Sequence, residues 1–310
     1  MSPAPAHEGL RNEALRAALT AALAGKAAAL EDLLSRLGRG ESPRPNLRLA
    51  AAFGAEVAAL PAEPGAVVRL LAHLGDTEAE AEQPRVFLPV AAVHGWVALL
   101  QAGREQERAW AALAELAADG RTPIRLGALD ALASLATRRE GRRADTLVAR
   151  AAEWLEHEDR EVQFGAAAVV VEAFADPRAL AALADSEAFL DYLSRAIDTI
   201  ADAPRAAERS DARRRLLLSL PRTLGAVASH LNRDDRGADW LEGEFARARH
   251  PDVREALSNT LVRFASRGAD PGAVITQRLR AALQGSAKPP RDPTRRRPGA
   301  ARGKASRPIR

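Results

Sequence analysis

One local pattern recurs along this chain at a nearly constant interval, and it restricts the possible folds more than any other feature. A turn carrying Pro or Asp is followed by an aliphatic residue and then by small residues. It appears as TPIRLGALDALASL over 122–135, DREVQFGAAAVVVEAF over 159–174 and HPDVREALSNTLVRF over 250–264. The aliphatic positions are Ile124, Val162 and Val253, and the third residue after each is Gly127, Gly165 and Ala256. Going back along the chain, QPRVFLPVAAV places Val86 and RPNLRLAAAF places Leu47 in the same role, so the steps are 39, 38 and 38 residues. An irregular unit around DARRRLLLSLPRTLGAVA, 211–228, fills the longer gap before Val253. A fixed interval of this length marks stacked units that each fail to bury their apolar face alone.

Within the interval the apolar residues follow a helical period. Leu15, Leu19 and Leu23 form one stripe, and Leu30, Leu33, Leu34 and Leu37 form the next. Turn chemistry interrupts the stripes at 38–45, 61–65, 75–84, 118–123 and 201–204, leaving helices of roughly 11–18 residues. Ala, Leu, Arg and Glu dominate and aromatic residues are only 4% of the chain, so no segment is expected to form a strand.

On these residues the chain resembles the HEAT-repeat family, in which the second helix of each pair opens with Asp/Thr-Pro-x-aliphatic-Arg and continues with small residues. The resemblance covers roughly 45–284 and is clearest in three units; Val86 is followed by Phe87 and Val162 by Gln163, so the Arg is not universal. It implies an all-α fold, a right-handed α-solenoid of helical hairpins. Residues 1–7 are then a disordered N-terminus, 8–44 a capping helical pair, 45–284 the repeat array and 285–310 a disordered basic tail. The small residues are expected to let each second helix pack against its partner within the unit. Arg48, Arg125 and Arg254 are expected to face neighbouring units and pair with acids such as Asp119, Asp159 and Asp252. HEAT arrays serve as scaffolds, adaptors, lyase-type chaperones and, in a few cases, nucleic-acid enzymes, so the resemblance implies architecture more sharply than activity.

Charge divides the chain in two. Residues 286–310 hold nine cations against the single acid Asp292. Taking these from the totals of 45 basic and 41 acidic residues leaves 36 basic against 40 acidic in the body. Arg295, Arg296, Arg297, Arg302, Lys304 and Arg307 make the tail an electrostatic tether, expected to be disordered because it has too little apolar surface to offset ordering. Without interleaved aromatics, any nucleic acid or acidic surface it attracts is held nonspecifically and in a salt-sensitive way. The body is not a basic nucleic-acid-binding domain. No apolar run approaches the ~18 residues of a membrane span, and the first residues carry Glu8 and Glu13 rather than a secretory pattern. The absence of cysteine excludes disulfides and thiolate chemistry and fits a cytoplasmic protein.

No catalytic or metal-binding motif emerges. The sequence EHEDRE at 156–161 reads as a turn in which Asp159 caps the next helix. NRDDRGADWLEG from 232 fails as a calcium loop, because Arg236 and Gly243 stand where oxygen ligands are needed, and reads as a turn capped by Asp234 or Asp235. No cofactor is expected. The leading reading is a non-enzymatic scaffold or adaptor that binds a protein or peptide on its concave face. Arg125, Gln163, Arg213, Arg214 and Arg215 lie on second helices and are the candidate contacts; the last three cannot all face inward. Trp110 and Trp240 share a phase and are assigned to the core, which leaves Trp96 and Trp154 as candidate aromatic hot spots. The alternative is a nucleic-acid-binding HEAT-like protein, which in its sharpest form is a DNA-glycosylase-type repair enzyme built on Trp154 and Glu158.

Overall fold

A computed structural model of the chain describes residues 5–38, 44–138, 142–231, 236–265 and 270–285. No strand is present among them. The helices are α1 Pro5–Leu23, α2 Ala28–Gly38, α3 Leu47–Ala59, α4 Pro64–Gly75, α5 Phe87–Gln101, α6 Gln106–Ala118, α7 Thr122–Ala136 and α8 Arg143–Trp154. There follow α9 Arg160–Ala173, α10 Pro177–Ala182, α11 Ser186–Ala201, α12 Asp211–His230, α13 Arg236–Arg247, α14 Pro251–Ala265 and α15 Asp270–Gly285. The starts follow from capping chemistry. Asn46 accepts from the Leu49 amide, Asp159 from Glu161 and Ser210 from Arg213, while Pro64 and Pro123 occupy first turns where a missing N–H costs nothing. Helix α1 opens at Pro5, earlier than the expected boundary at residue 8. The basic tail and the expected caps Asp234 and Asp235 lie outside the described residues.

Alternate helices pack in succession: α3 on α5, α5 on α7, α7 on α9, α9 on α12 and α12 on α14. The helices between them fold back onto this row, with α4 against α5, α6 against α5 and α7, α8 against α7 and α9, α13 against α12 and α15 against α14. The segment FLPVAAVHGWVALL of α5 has no strongly polar stripe, and all of Phe87–Leu100 is buried between α2, α3, α4, α6 and α7. A helix that is apolar all round has to be enclosed on every side. No helix among the described residues is long and apolar enough to cross a membrane.

The small residues act differently from the sequence expectation. A β-carbon on Gly165 of α9 would stand 2.7 Å from the Ala118 Cα in α6, and one on Gly54 of α3 would stand 2.6 Å from the His94 carbonyl oxygen in α5. Both are approaches between units, not within one: α3 and α5 are neighbours in the row, and α9 meets the end of α6, which folds back beside α7. Gly54→Ala and Gly165→Ala are each expected to lower stability by about 2 kcal/mol: the overpacking cost exceeds the gain in helix propensity. Urea denaturation of the two variants measures this, and a neutral or stabilising result would show that the helices separate freely.

Polar side chains also reach from unit to unit. Arg16 pairs with Glu56, Glu31 with both His73 and Arg85, Arg150 with Glu107, Arg195 with Glu156, Arg247 with Asp198 and Arg278 with Asp239. Arg121 donates to the Thr77 and Ala79 carbonyls, Arg143 to that of Gln101, and the Asp145 carboxylate accepts from the amides of Ala184 and Asp185. These links span from 39 residues, as in Arg195–Glu156, to 54, as in Arg85–Glu31. Most are solvent-exposed and worth little singly, so they serve alignment more than stability. The ladder uses other arginines than those expected. Asp119 is held by Arg121, Asp159 caps α9 and Asp252 takes Arg213, while Arg254 donates to the Leu283 carbonyl and Arg48 is exposed. Backbone geometry repeats as well: Glu105 and Arg142, 37 residues apart, cap α6 and α8 in the left-handed region at φ 48° and 51°.

An arginine-lined cavity as the candidate binding site

The three consecutive arginines at the start of α12 have three different roles. Successive helical residues point about 100° apart, so they cannot share a face. Arg213 is 1% exposed and is fixed by the Asp252 carboxylate at 2.7 Å and the carbonyls of Ile200 and Glu208. It is an internal brace with no surface to offer a partner. Arg214 is exposed to solvent. Arg215 faces a cavity of about 460 Å³ formed between α7, α9, α12 and α14.

Arg125 of α7, Arg215 and Arg222 of α12 and Arg263 of α14 line this cavity, with Glu172 of α9 as the acid in its wall. Residues 215, 218 and 222 stand at i, i+3 and i+7, so α12 turns Arg215, Leu218 and Arg222 to the same side. Arg215 is held in place by a bond from Nη2 to the Ala118 carbonyl, 3.3 Å away at the end of α6. A cation at a helix C-terminus satisfies an otherwise unpaired carbonyl and the end of the helix dipole. The Nε of the same side chain is buried without a hydrogen-bond partner among the described residues. Burial, followed by the proximity of Arg215, lowers the Arg125 guanidinium below the usual arginine value, against the pull of Glu172 and Asp119. Like charges share a partly desolvated space here, and an anion entering it would relieve both the repulsion and the lost hydration.

The other candidates named from the sequence lie elsewhere. Trp96 is buried within α5, and Trp154 is buried against Trp110 of α6 with ring centroids 6.1 Å apart. Neither is a surface hot spot: both fill the core, and Glu158, four residues after Trp154, is exposed. Trp240 is half-buried and donates from Nε1 to the Ser194 hydroxyl at 3.0 Å. Gln163 is buried too; its amide donates to the Leu155 carbonyl and accepts from Arg160, closing the turn before α9. The sequence reading did not single out Glu172, Leu218, Arg222 or Arg263. The seven-residue spacing of Arg215 and Arg222 with a leucine between them was the available signal, since a leucine flanked by arginines on one helical face is out of place on a solvated surface.

Two further polar features stand apart from the cavity. His94 of α5 is buried, its Nε2 unbonded and 3.8 Å from the Asp130 carboxylate of α7. Burial lowers its pKa to about 4. A second, larger cavity lies between α10 and the end of α12, bordered among the described residues by Ser186, Ser229 and His230. Among the described residues no group of three or more His, Cys, Asp or Glu is arranged to hold a metal ion.

No family model matches the chain, and no curated protein matches it. Among solved structures it is similar to the crystal structure of an engineered protein from the Northeast Structural Genomics Consortium. That similarity has 16% identity, 89% coverage of this chain and 97% of that one, and a TM-score of 0.35.

Proposed function

We propose that this chain is a right-handed HEAT-like α-solenoid acting as a cytoplasmic, non-enzymatic interaction scaffold, and that an acidic partner segment occupies its arginine-lined cavity. The solenoid reading is supported by the 38–39-residue recurrence of the helix-opening pattern, the succession α3–α5–α7–α9–α12–α14, and polar links that reach about one unit along the chain. One observation carries the functional reading: helices α7, α12 and α14 bring four arginines to a single cavity in which Glu172 is the one acid among the described lining residues. Such a surface selects partners by charge and steers their approach. The basic tail adds nonspecific attraction.

The same arginines also suit a phosphate backbone, which keeps a nucleic-acid partner as the second reading. The two are separated by titrating a fluorescent polyglutamate peptide and a DNA duplex into the full chain and its Arg222→Glu variant across a salt series. The scaffold reading expects polyglutamate affinity to fall about tenfold in the variant, while DNA binding through the tail stays within a factor of two. Loss of DNA binding on reversing Arg222, with polyglutamate unaffected, would transfer the site to nucleic acid.

A further inference from the structure

The charge of the cavity is only half of its chemistry. Among the described residues, the large apolar side chains left exposed are Leu218, Val262 and Val274, at 66%, 67% and 65%. One of the three belongs to this site: Leu218 lines the cavity between Arg215 and Arg222. Leu218 is thus left in water beside guanidinium groups, and covering such a side chain fully would yield about 1.5–3 kcal/mol.

We infer that the cavity's occupant is an acidic peptide segment of a partner protein with a large apolar residue set between its carboxylates. The apolar side chain covers Leu218, and the flanking carboxylates reach Arg125, Arg215 and Arg222. This rests on the acidic-partner reading above and makes it specific. Three features favour a peptide over nucleic acid. Phosphate backbones offer nothing that would cover Leu218. Among the described lining residues there is no aromatic face on which a base would stack. Glu172 in the wall repels a continuous polyanion, whereas a peptide alternates carboxylates with neutral groups. The volume, about 460 Å³, is within the ~300–1,000 Å³ range of ligand pockets, room for a short anchor and not for a duplex.

The test is fluorescence anisotropy on the full chain with three probes: a peptide of glutamates around a central Leu-Phe pair, a polyglutamate peptide of equal charge, and a single-stranded oligonucleotide. The variants are Leu218→Ser, which changes an exposed side chain without altering charge, and Arg222→Glu; circular dichroism melts check that both fold. The expected result is that the acidic-apolar peptide binds at least about tenfold more tightly than polyglutamate. Leu218→Ser should remove that advantage and leave polyglutamate affinity unchanged, and Arg222→Glu should weaken both peptides. Equal affinity of the two peptides, or indifference to Leu218→Ser, overturns the apolar anchor while the acidic-partner reading stands. If neither peptide binds, or if binding ignores Arg222→Glu, both readings fail. Displacement of either peptide by the oligonucleotide in an Arg222-dependent manner overturns the peptide in favour of nucleic acid.

Discussion

Asp252→Ala is expected to destabilise the fold by about 4 kcal/mol, the largest effect of any single substitution considered for this chain. The reason is its partner. Arg213 is 1% exposed and always charged, and Asp252 supplies its counter-ion at 2.7 Å; the carbonyls of Ile200 and Glu208 provide hydrogen bonds without neutralising it. Removing the carboxylate leaves a cation in the interior. The reverse change is milder. Asp252 has a side chain 42% exposed, so after Arg213→Met it stays hydrated, and methionine fills most of the vacated volume. We expect a loss of about 1–2 kcal/mol for Arg213→Met, set by the carbonyls left unpaired. In the double variant the Asp252→Ala penalty should largely disappear. Urea denaturation, with hydrogen exchange followed along α12 and α14, measures the cycle. Equal losses for the two single variants would show that Arg213 finds water and is not the buried brace described.

His94 should make the fold sensitive to acid. Its folded pKa lies near 4, below the ordinary 6.5, because burial penalises the imidazolium. The unfolded chain therefore binds the proton more readily. The stabilising contribution is fully present above about pH 6.5 and is lost as the pH falls toward 4, amounting to about 3 kcal/mol at pH 4. Asp130 opposes part of this, since burial raises its pKa and its protonation favours the folded state as the pH falls. Glu31, Glu63 and Asp176, all held below their usual range by hydrogen bonds, add an acid loss of their own. The contribution of His94 is thus read as a difference: between pH 7 and 4 the wild-type chain should lose about 3 kcal/mol more than His94→Gln. Parallel pH profiles would mean that water reaches the imidazole and that its burial is incomplete.

The helices were legible in the sequence because turn chemistry and apolar period act over a few residues. Every expected break coincides with a helix boundary, as at Gly38, Pro64 and Ala118, and the aligned Leu47, Val86, Ile124, Val162 and Val253 all stand at or beside a helix start. What joins the units was not legible, because it depends on which faces meet. Trp154 lacked a counterpart of its own phase and so looked available; its neighbour is Trp110, which came from the preceding unit in a different phase. The contiguity of Arg213, Arg214 and Arg215 concealed their separation into brace, surface and cavity wall. The arginine-lined cavity itself draws on four helices, so Arg263 and Glu172 carry no sign of it in their local sequence.

The reach of the polar links has a mechanical meaning. Each joins segments about one repeat interval apart, so force applied along the chain is passed mainly between helices that are close in sequence. The bond from Arg215 to the Ala118 carbonyl departs from this rule, spanning 97 residues. It ties the end of α6 to α12 at the cavity wall, so a displacement of α6 relative to α12 would be felt by an arginine of the cluster.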